Sequence, residues 1–128
     1  MIERLLIYGV GLIGGSVALA LKQAGAVGEV IGVGRSRANL DLARTRGIVD
    51  RIAEDVEAAA AEADLILLAL PVGAMAKAFA RIAPALGDKT VVTDAGSTKQ
   101  DVIAAARAAL GPRIGQFVPA HPIAGAEH

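Results

Sequence analysis

The chain has 128 residues, 54% of them hydrophobic and 2% aromatic, with thirteen basic and thirteen acidic side chains. That length fits one domain, residues 1–128, with a single core, and the balanced, interspersed charge gives a polyanion such as nucleic acid no electrostatic hold. The absence of cysteine removes disulfides and thiolate metal sites, so no metal is expected, and it fits a reducing compartment.

The opening Met1-Ile2-Glu3-Arg4-Leu5-Leu6-Ile7 is too short and too charged for a signal peptide. No apolar run approaches the ~20 residues that span a bilayer. A soluble, cytoplasmic protein with neither a membrane nor a nucleic-acid partner is the expectation.

In chain order, short apolar runs alternate with helical patterns. Leu5 to Tyr8 reads as a first buried strand, and Leu12 to Ala24 as a helix ended by Gly25. Val30 to Val33 is a second strand, followed by a helix over Arg37 to Arg46 that Ser36 caps and Gly47 stops. A short third strand is expected over Val49 to Ile52, then a helix over Val56 to Ala63 capped by Asp55. Leu65 to Leu70 is the clearest buried strand. A helix over Ala74 to Leu86, a strand over Thr90 to Thr93, a helix over Thr98 to Leu110 and a last strand over Gln116 to Ala120 complete the pattern. Continuous apolar strands belong in parallel sheets covered on both faces. The fold class is therefore α/β, a doubly wound, mostly parallel six-stranded sheet of the Rossmann, dinucleotide-binding type.

Between the first strand and the first helix, Gly9-Val10-Gly11-Leu12-Ile13-Gly14 matches G-x-G-x-x-G. The first glycine permits a tight turn, the second lets backbone approach a pyrophosphate, and the third lets helix and strand pack closely. The helix N-terminus then faces the pyrophosphate. In that context Gly9, Gly11, Leu12, Ile13 and Gly14 are candidate cofactor contacts; the bland alternative is a glycine-rich turn with no ligand.

The end of the second strand bears on which cofactor binds. An NAD site commonly places Asp or Glu about 20 residues after the motif, to hold the ribose 2′-hydroxyl. Here the segment is Gly32-Val33-Gly34-Arg35-Ser36-Arg37, with no acid. Gly34, Arg35, Ser36 and Arg37 suit a 2′-phosphate through charge and hydrogen bonds. NADP is the preferred cofactor, with NAD as the alternative and solvated arginines at a helix start as the structural one.

Ligands of open α/β sheets bind at the carboxyl ends of the strands. The remaining distinctive segments are predicted at that edge too: Pro71-Val72-Gly73, Asp94-Ala95-Gly96-Ser97-Thr98-Lys99, and His121-Pro122. Leu70, Pro71 and Gly96 are further candidate cofactor contacts. A histidine at such a strand end can handle a proton beside a nicotinamide ring, or it can be a strand-end residue alone. Ser97 with Gln100 also spells S-x-x-Q, a capping box. His128, at the chain end, is not assigned a role.

The chain resembles the prephenate and arogenate dehydrogenases of tyrosine biosynthesis. The residues that carry the resemblance are Gly9-Val10-Gly11-Leu12-Ile13-Gly14-Gly15-Ser16, Asp94-Ala95-Gly96-Ser97-Thr98-Lys99 and His121-Pro122-Ile123-Ala124-Gly125-Ala126-Glu127. The resemblance implies oxidative decarboxylation of prephenate or arogenate with hydride transfer to NADP or NAD. It puts the catalytic histidine at His121, the active-site serine at Ser97, and an acid near the substrate entrance at Glu127. It covers the family's N-terminal nucleotide-binding domain. The helical C-terminal domain that forms the family's homodimer and completes its pocket is not expected within these residues. The 128 residues are thus expected to bind NADP(H) and to turn over prephenate poorly or not at all. A stand-alone NADP-binding module without catalysis, or another Rossmann oxidoreductase of the hydroxyacid or imine reductase type, are the other readings.

Overall fold

A computed structural model describes residues 2–9, 12–95 and 99–118, without the side chains of 12, 13, 72 and 99–101. Its elements are β1 (Ile2–Tyr8), α1 (Leu12–Gln23), β2 (Val27–Val33), α2 (Arg37–Thr45), β3 (Arg51–Ile52), α3 (Val56–Glu62), β4 (Leu65–Leu68), α4 (Val72–Ile82), β5 (Val91–Asp94) and α5 (Lys99–Leu110). The strands form one parallel sheet in the order β3-β2-β1-β4-β5.

Alternation along the strands sends successive side chains to opposite faces. Leu6, Ile31, Val33, Ile66, Leu68 and Val92 face one core, shared with Val56 and Ala60 of α3, Met75, Phe79 and Ile82 of α4, and Val102 and Ala106 of α5. Leu5, Ile7, Val30 and Leu67 face the other, with Ala18 of α1 and Ala43 of α2. Both faces are covered, which explains why Leu5 to Tyr8 of β1, Val30 to Val33 of β2 and Leu65 to Leu68 of β4 read as continuous runs rather than alternating ones. Small residues let the helices lie close, as Ala59, Ala60 and Ala78 show, each no more than 2% exposed.

The expected helix boundaries largely hold. The Ser36 hydroxyl accepts the Asn39 N–H at 3.2 Å and the Asp55 carboxylate accepts the Ala58 N–H at 3.1 Å, so both caps satisfy amides that lack helical partners. Helix α4 starts at Val72, directly after Pro71, and stops at Ile82 rather than Leu86. Pro84 has no N–H to continue it, and Ala83–Ala85 close as a 3-10 turn. Strand β3 shrinks to Arg51–Ile52, and β4 ends at Leu68, which leaves Leu70 outside the ladder.

The expectation of six strands is corrected to five among the described residues. Gly111–Gln116 fold as a 3-10 helix, and strand pairing beyond it is one parallel bridge between Phe117 and Val92. Positions 119 and 120 of the expected strand lie outside the described residues. Side-chain hydrogen bonds fix the departure: Arg113 donates to the carbonyls of Ala83, Leu86 and Gly87, and the Gln116 amide donates to those of Gly87 and Thr90. Phe117 then packs edge-on against Phe79, with ring centroids 5.3 Å apart.

Candidate functional site

From β1 the sheet grows in two directions, through β2 to β3 on one side and through β4 to β5 on the other. Connections leave the carboxyl edge to opposite sides at that reversal, and a crevice opens there. Tyr8 and Gly9 lie at the end of β1 beside it. Gly9 has φ +91°, and a Cβ there would stand 2.6 Å from both the Ala69 carbonyl oxygen and Leu70 Cδ2. At Gly14 a Cβ would meet Ile7 Cγ2 at 3.0 Å and Ala69 Cβ at 3.2 Å. The first glycine of the motif is therefore needed at the end of β1, and the third lets α1 approach the sheet more closely than a larger residue would without Ile7 or Ala69 giving way. Leu12 and Ile13 begin α1.

A cleft of about 640 Å³ occupies the same edge, within the range of small-molecule sites. The ends of β1 and β2 contribute Tyr8, Val33, Gly34 and Arg35. Arg37 and Leu40 come from α2, Ile52, Ala53 and Glu54 from β3 and the turn after it, and Leu70 and Pro71 from the β4–α4 connection. Helices α3 and α4 supply Val56, Ala74, Lys77, Ala78 and Arg81. Four cations and one carboxylate thus line an otherwise largely apolar space.

These cations are not equivalent. Arg37 Nη1 lies 2.8 Å from Glu54 Oε1, and its Nε lies 3.3 Å from Asp41 Oδ1. The Glu54 hydrogen bond and the charges of Asp41 and Glu54 hold its proton more tightly than usual. Arg81 Nε lies 2.8 Å from Glu57 Oε1. The Glu57 hydrogen bond and charge likewise strengthen its hold on its proton, with a smaller contribution from Tyr8. Arg35 and Lys77 make no hydrogen bond or ion pair with any described residue. Among the described residues the cleft therefore keeps two cations without an acidic partner, which suits an anionic group.

The structure brings Gly34, Arg35, Arg37, Leu70 and Pro71 together around this cleft, with Gly9 at the end of β1 and Gly14 in the first turn of α1 at the same edge. Ser36 is not among the lining residues; its hydroxyl caps α2. Gly11, Gly96, Ser97, His121 and Glu127 lie outside the described residues. Asp94 ends β5 and is 4% exposed.

Sequence reasoning missed Tyr8, Glu54, Lys77 and Arg81. A signal for the last two exists in α4, where Ala74, Lys77, Ala78 and Arg81 form a stripe beside the core-facing Met75, Phe79 and Ile82. Among the described residues no helix is long and apolar enough to cross a membrane, and no cluster of His, Asp and Glu could hold a metal ion.

The family model described as "Prephenate dehydrogenase, nucleotide-binding domain" matches residues 17–128. The chain is 38% identical over 124 residues to the prephenate dehydrogenase of Lactococcus lactis subsp. cremoris, an alignment covering 96% of this chain and 34% of that protein. It is also 38% identical over 126 residues to the cyclohexadienyl dehydrogenase of Zymomonas mobilis, covering 98% of this chain and 42% of that one. Among solved structures, prephenate dehydrogenase from A. aeolicus in complex with hydroxyphenyl propionate and NAD+ matches with a TM-score of 0.83 and 31% identity, over 98% of this chain and 43% of that chain. The chain spans about a third to two fifths of the length of these curated relatives. With that family model matched over most of its length, on a Rossmann-like parallel sheet, the chain belongs to the prephenate dehydrogenase family.

Proposed function

We propose that residues 1–128 form the cofactor-binding and proton-accepting domain of an NADP-preferring prephenate or arogenate dehydrogenase. The observation that carries this reading is convergence. Gly9 at the end of β1 and the start of α1 lie at the same edge of the sheet as Gly34-Arg35 and Leu70-Pro71, which line one cleft with two unpartnered cations among the described residues. A pyrophosphate is assigned to the glycine turn at the start of α1, where unpaired helix amides favour an anion. The adenosine half is assigned to the cleft between Gly34-Arg35 and Leu70-Pro71. Arg35 is the leading contact for a 2′-phosphate, with the Ser36 hydroxyl still able to donate. Arg37 is secondary because Asp41 and Glu54 already balance it. Gly96 is assigned to the nicotinamide side.

When bound, the nicotinamide supplies the hydride acceptor. His121 is proposed to take the proton of the substrate's ring hydroxyl as hydride leaves the same ring carbon. An imidazole of ordinary pKa near ~6.5 is largely a free base at neutral pH. The ring carboxylate departs as carbon dioxide, its bonding pair enters the ring, and the proton held by His121 can return to the resulting phenolate. Ser97 is proposed to hydrogen-bond the hydroxyl or orient the imidazole, and Glu127 to sit near the substrate entrance. A cytoplasmic enzyme fits this chemistry and the absence of cysteine. The family homodimer is proposed for the longer protein.

Calorimetric titration of the chain with NADP and with NAD is the first test. NADP should bind more tightly, and a clear preference for NAD would sink the assignment of Arg35. Catalysis is read in a chimera that continues residue 128 into the corresponding remainder of the Lactococcus lactis relative, assayed with prephenate and arogenate. There His121→Asn should lower kcat by roughly 100-fold or more without changing cofactor Kd. An unchanged kcat would remove His121 as the proton acceptor.

A further inference from the structure

We propose that Lys77 of α4 is a second cation for the cofactor's 2′-phosphate, facing Arg35 across the cleft, and that it sets the preference for the phosphorylated dinucleotide. This inference rests on the reading of the cleft as the adenosine site. Four cations line that space, but Arg37 is balanced by Asp41 and Glu54, and Arg81 by Glu57. Lys77 and Arg35 remain, on separate elements, α4 and the end of β2, and neither makes an ion pair with a described residue.

The environment of Lys77 suits an anion that arrives with a ligand. Ala74 and Ala78 lie beside it along the stripe of α4 that lines the cleft, and the one long neighbour on that stripe, Arg81, is engaged by Glu57. Glu54, the one carboxylate among the described residues lining the cleft, is held by Arg37 at 2.8 Å. A 2′-phosphate carries close to two negative charges near neutral pH, which two separate cations can match and one cannot. NAD presents a neutral hydroxyl at that position and gains nothing from either. Lys77 is exposed, and alanine is the best helix former, so Lys77→Ala should leave α4 intact.

The test titrates NADP, NAD, adenosine 2′,5′-bisphosphate and 5′-ADP into the parent chain and into Lys77→Ala, Lys77→Arg and Arg35→Ala, at low and high salt. Circular dichroism checks that each variant is folded. Lys77→Ala should weaken NADP and the bisphosphate by roughly five- to tenfold at low salt and leave NAD and 5′-ADP within about twofold. Lys77→Arg should restore most of the loss, and high salt should shrink the difference because the cations are exposed. Equal weakening of both dinucleotides would make Lys77 an adenine or ribose contact and overturn the proposal. An unaffected Lys77→Ala beside an Arg35→Ala that loses NADP would overturn it while leaving the 2′-phosphate reading intact. If the parent chain binds no dinucleotide, the reading of the cleft itself fails.

Discussion

Gly9 is the most constrained of the described glycines at the candidate site. Its φ of +91° is costly for any L side chain, and an added Cβ would lie 2.6 Å from the Ala69 carbonyl oxygen, which belongs to backbone and cannot swing aside. Gly9→Ala should therefore lower stability by about 2 kcal/mol and weaken dinucleotide binding, because any relief must move the β1 turn away from Leu70. Urea unfolding with parallel NADP titration reads both effects. A variant with an unchanged midpoint and Kd would show that the turn adapts freely. Gly9 and Gly14, like the caps Ser36 and Asp55, were legible in the sequence because each obeys a rule acting over a few residues. Lys77, Glu54, Tyr8 and Arg81 were not, because they reach the cleft only once β1, β3 and α4 have been placed around the switch point. Arg35 and Arg37 looked alike in sequence, yet among the described residues only Arg37 finds acidic partners, and Glu54 comes from another element.

Among elements, α1 is tied to the β2–β3 side of the sheet by one polar clasp. Asp50 Oδ2 accepts the Val30 N–H at 2.8 Å, Oδ1 receives Lys22 Nζ at 2.8 Å, and the same ammonium reaches the Gly47 carbonyl at 2.8 Å. Burial pushes the Asp50 carboxyl up, but the Lys22 hydrogen bond, the Val30 N–H and the Lys22 charge outweigh it. The carboxyl titrates below its ordinary 3.8. A depressed folded-state value means that the clasp's contribution is fully present above the ordinary pKa and is lost as pH falls through the lower one. Asp50→Asn should thus lower Tm by a few degrees at neutral pH, and the gap from the parent should narrow as the pH is lowered below about 3.8. A pH-independent gap in thermal melts would mean that the amide loses packing or geometry rather than charge. The clasp also bears on why β3 was overestimated. Asp50, the residue before Arg51, spends its side chain on β2 and α1, and the ladder proper begins only at Arg51. The strand expected over Gln116 to Ala120 is, among the described residues, one parallel bridge at Phe117, for a related reason. Its apolar residues satisfied a local pattern, but Arg113 and Gln116 capture carbonyls from the α4–β5 connection and fold the preceding stretch into a 3-10 helix.

At the scale of the whole molecule, the proposed site lies at one edge of the sheet and structural contacts at the other, and binding should reveal the division. The carboxyl edge carries the Gly9 turn, Gly34-Arg35 and Leu70-Pro71 around the cleft. The amino edge is closed by structural contacts. Asp64 Oδ2 accepts the Glu3 and Arg4 amides, each at 2.9 Å, the Thr90 hydroxyl donates to Ala63, and Arg51 bridges Glu29 and Glu62. The exposed ion pairs among these add little stability singly, so that edge is maintained mainly by backbone pairing and burial. A ligand present at about 100 times its Kd stabilises the folded state by about 2.7 kcal/mol, enough to slow global opening everywhere. Local opening is different, because it slows only where the ligand orders backbone. Hydrogen exchange with and without NADP should therefore show added early-time protection at residues 9–16, 33–37 and 69–74. The amino-edge segments 24–27 and 87–90 should change only at the long times governed by global unfolding. Early protection confined to the amino edge would place the ligand at the wrong end of the sheet. It would also overturn the assignment of the cleft, because no rearrangement short of unfolding carries Arg35 or Lys77 across a parallel sheet packed on both faces.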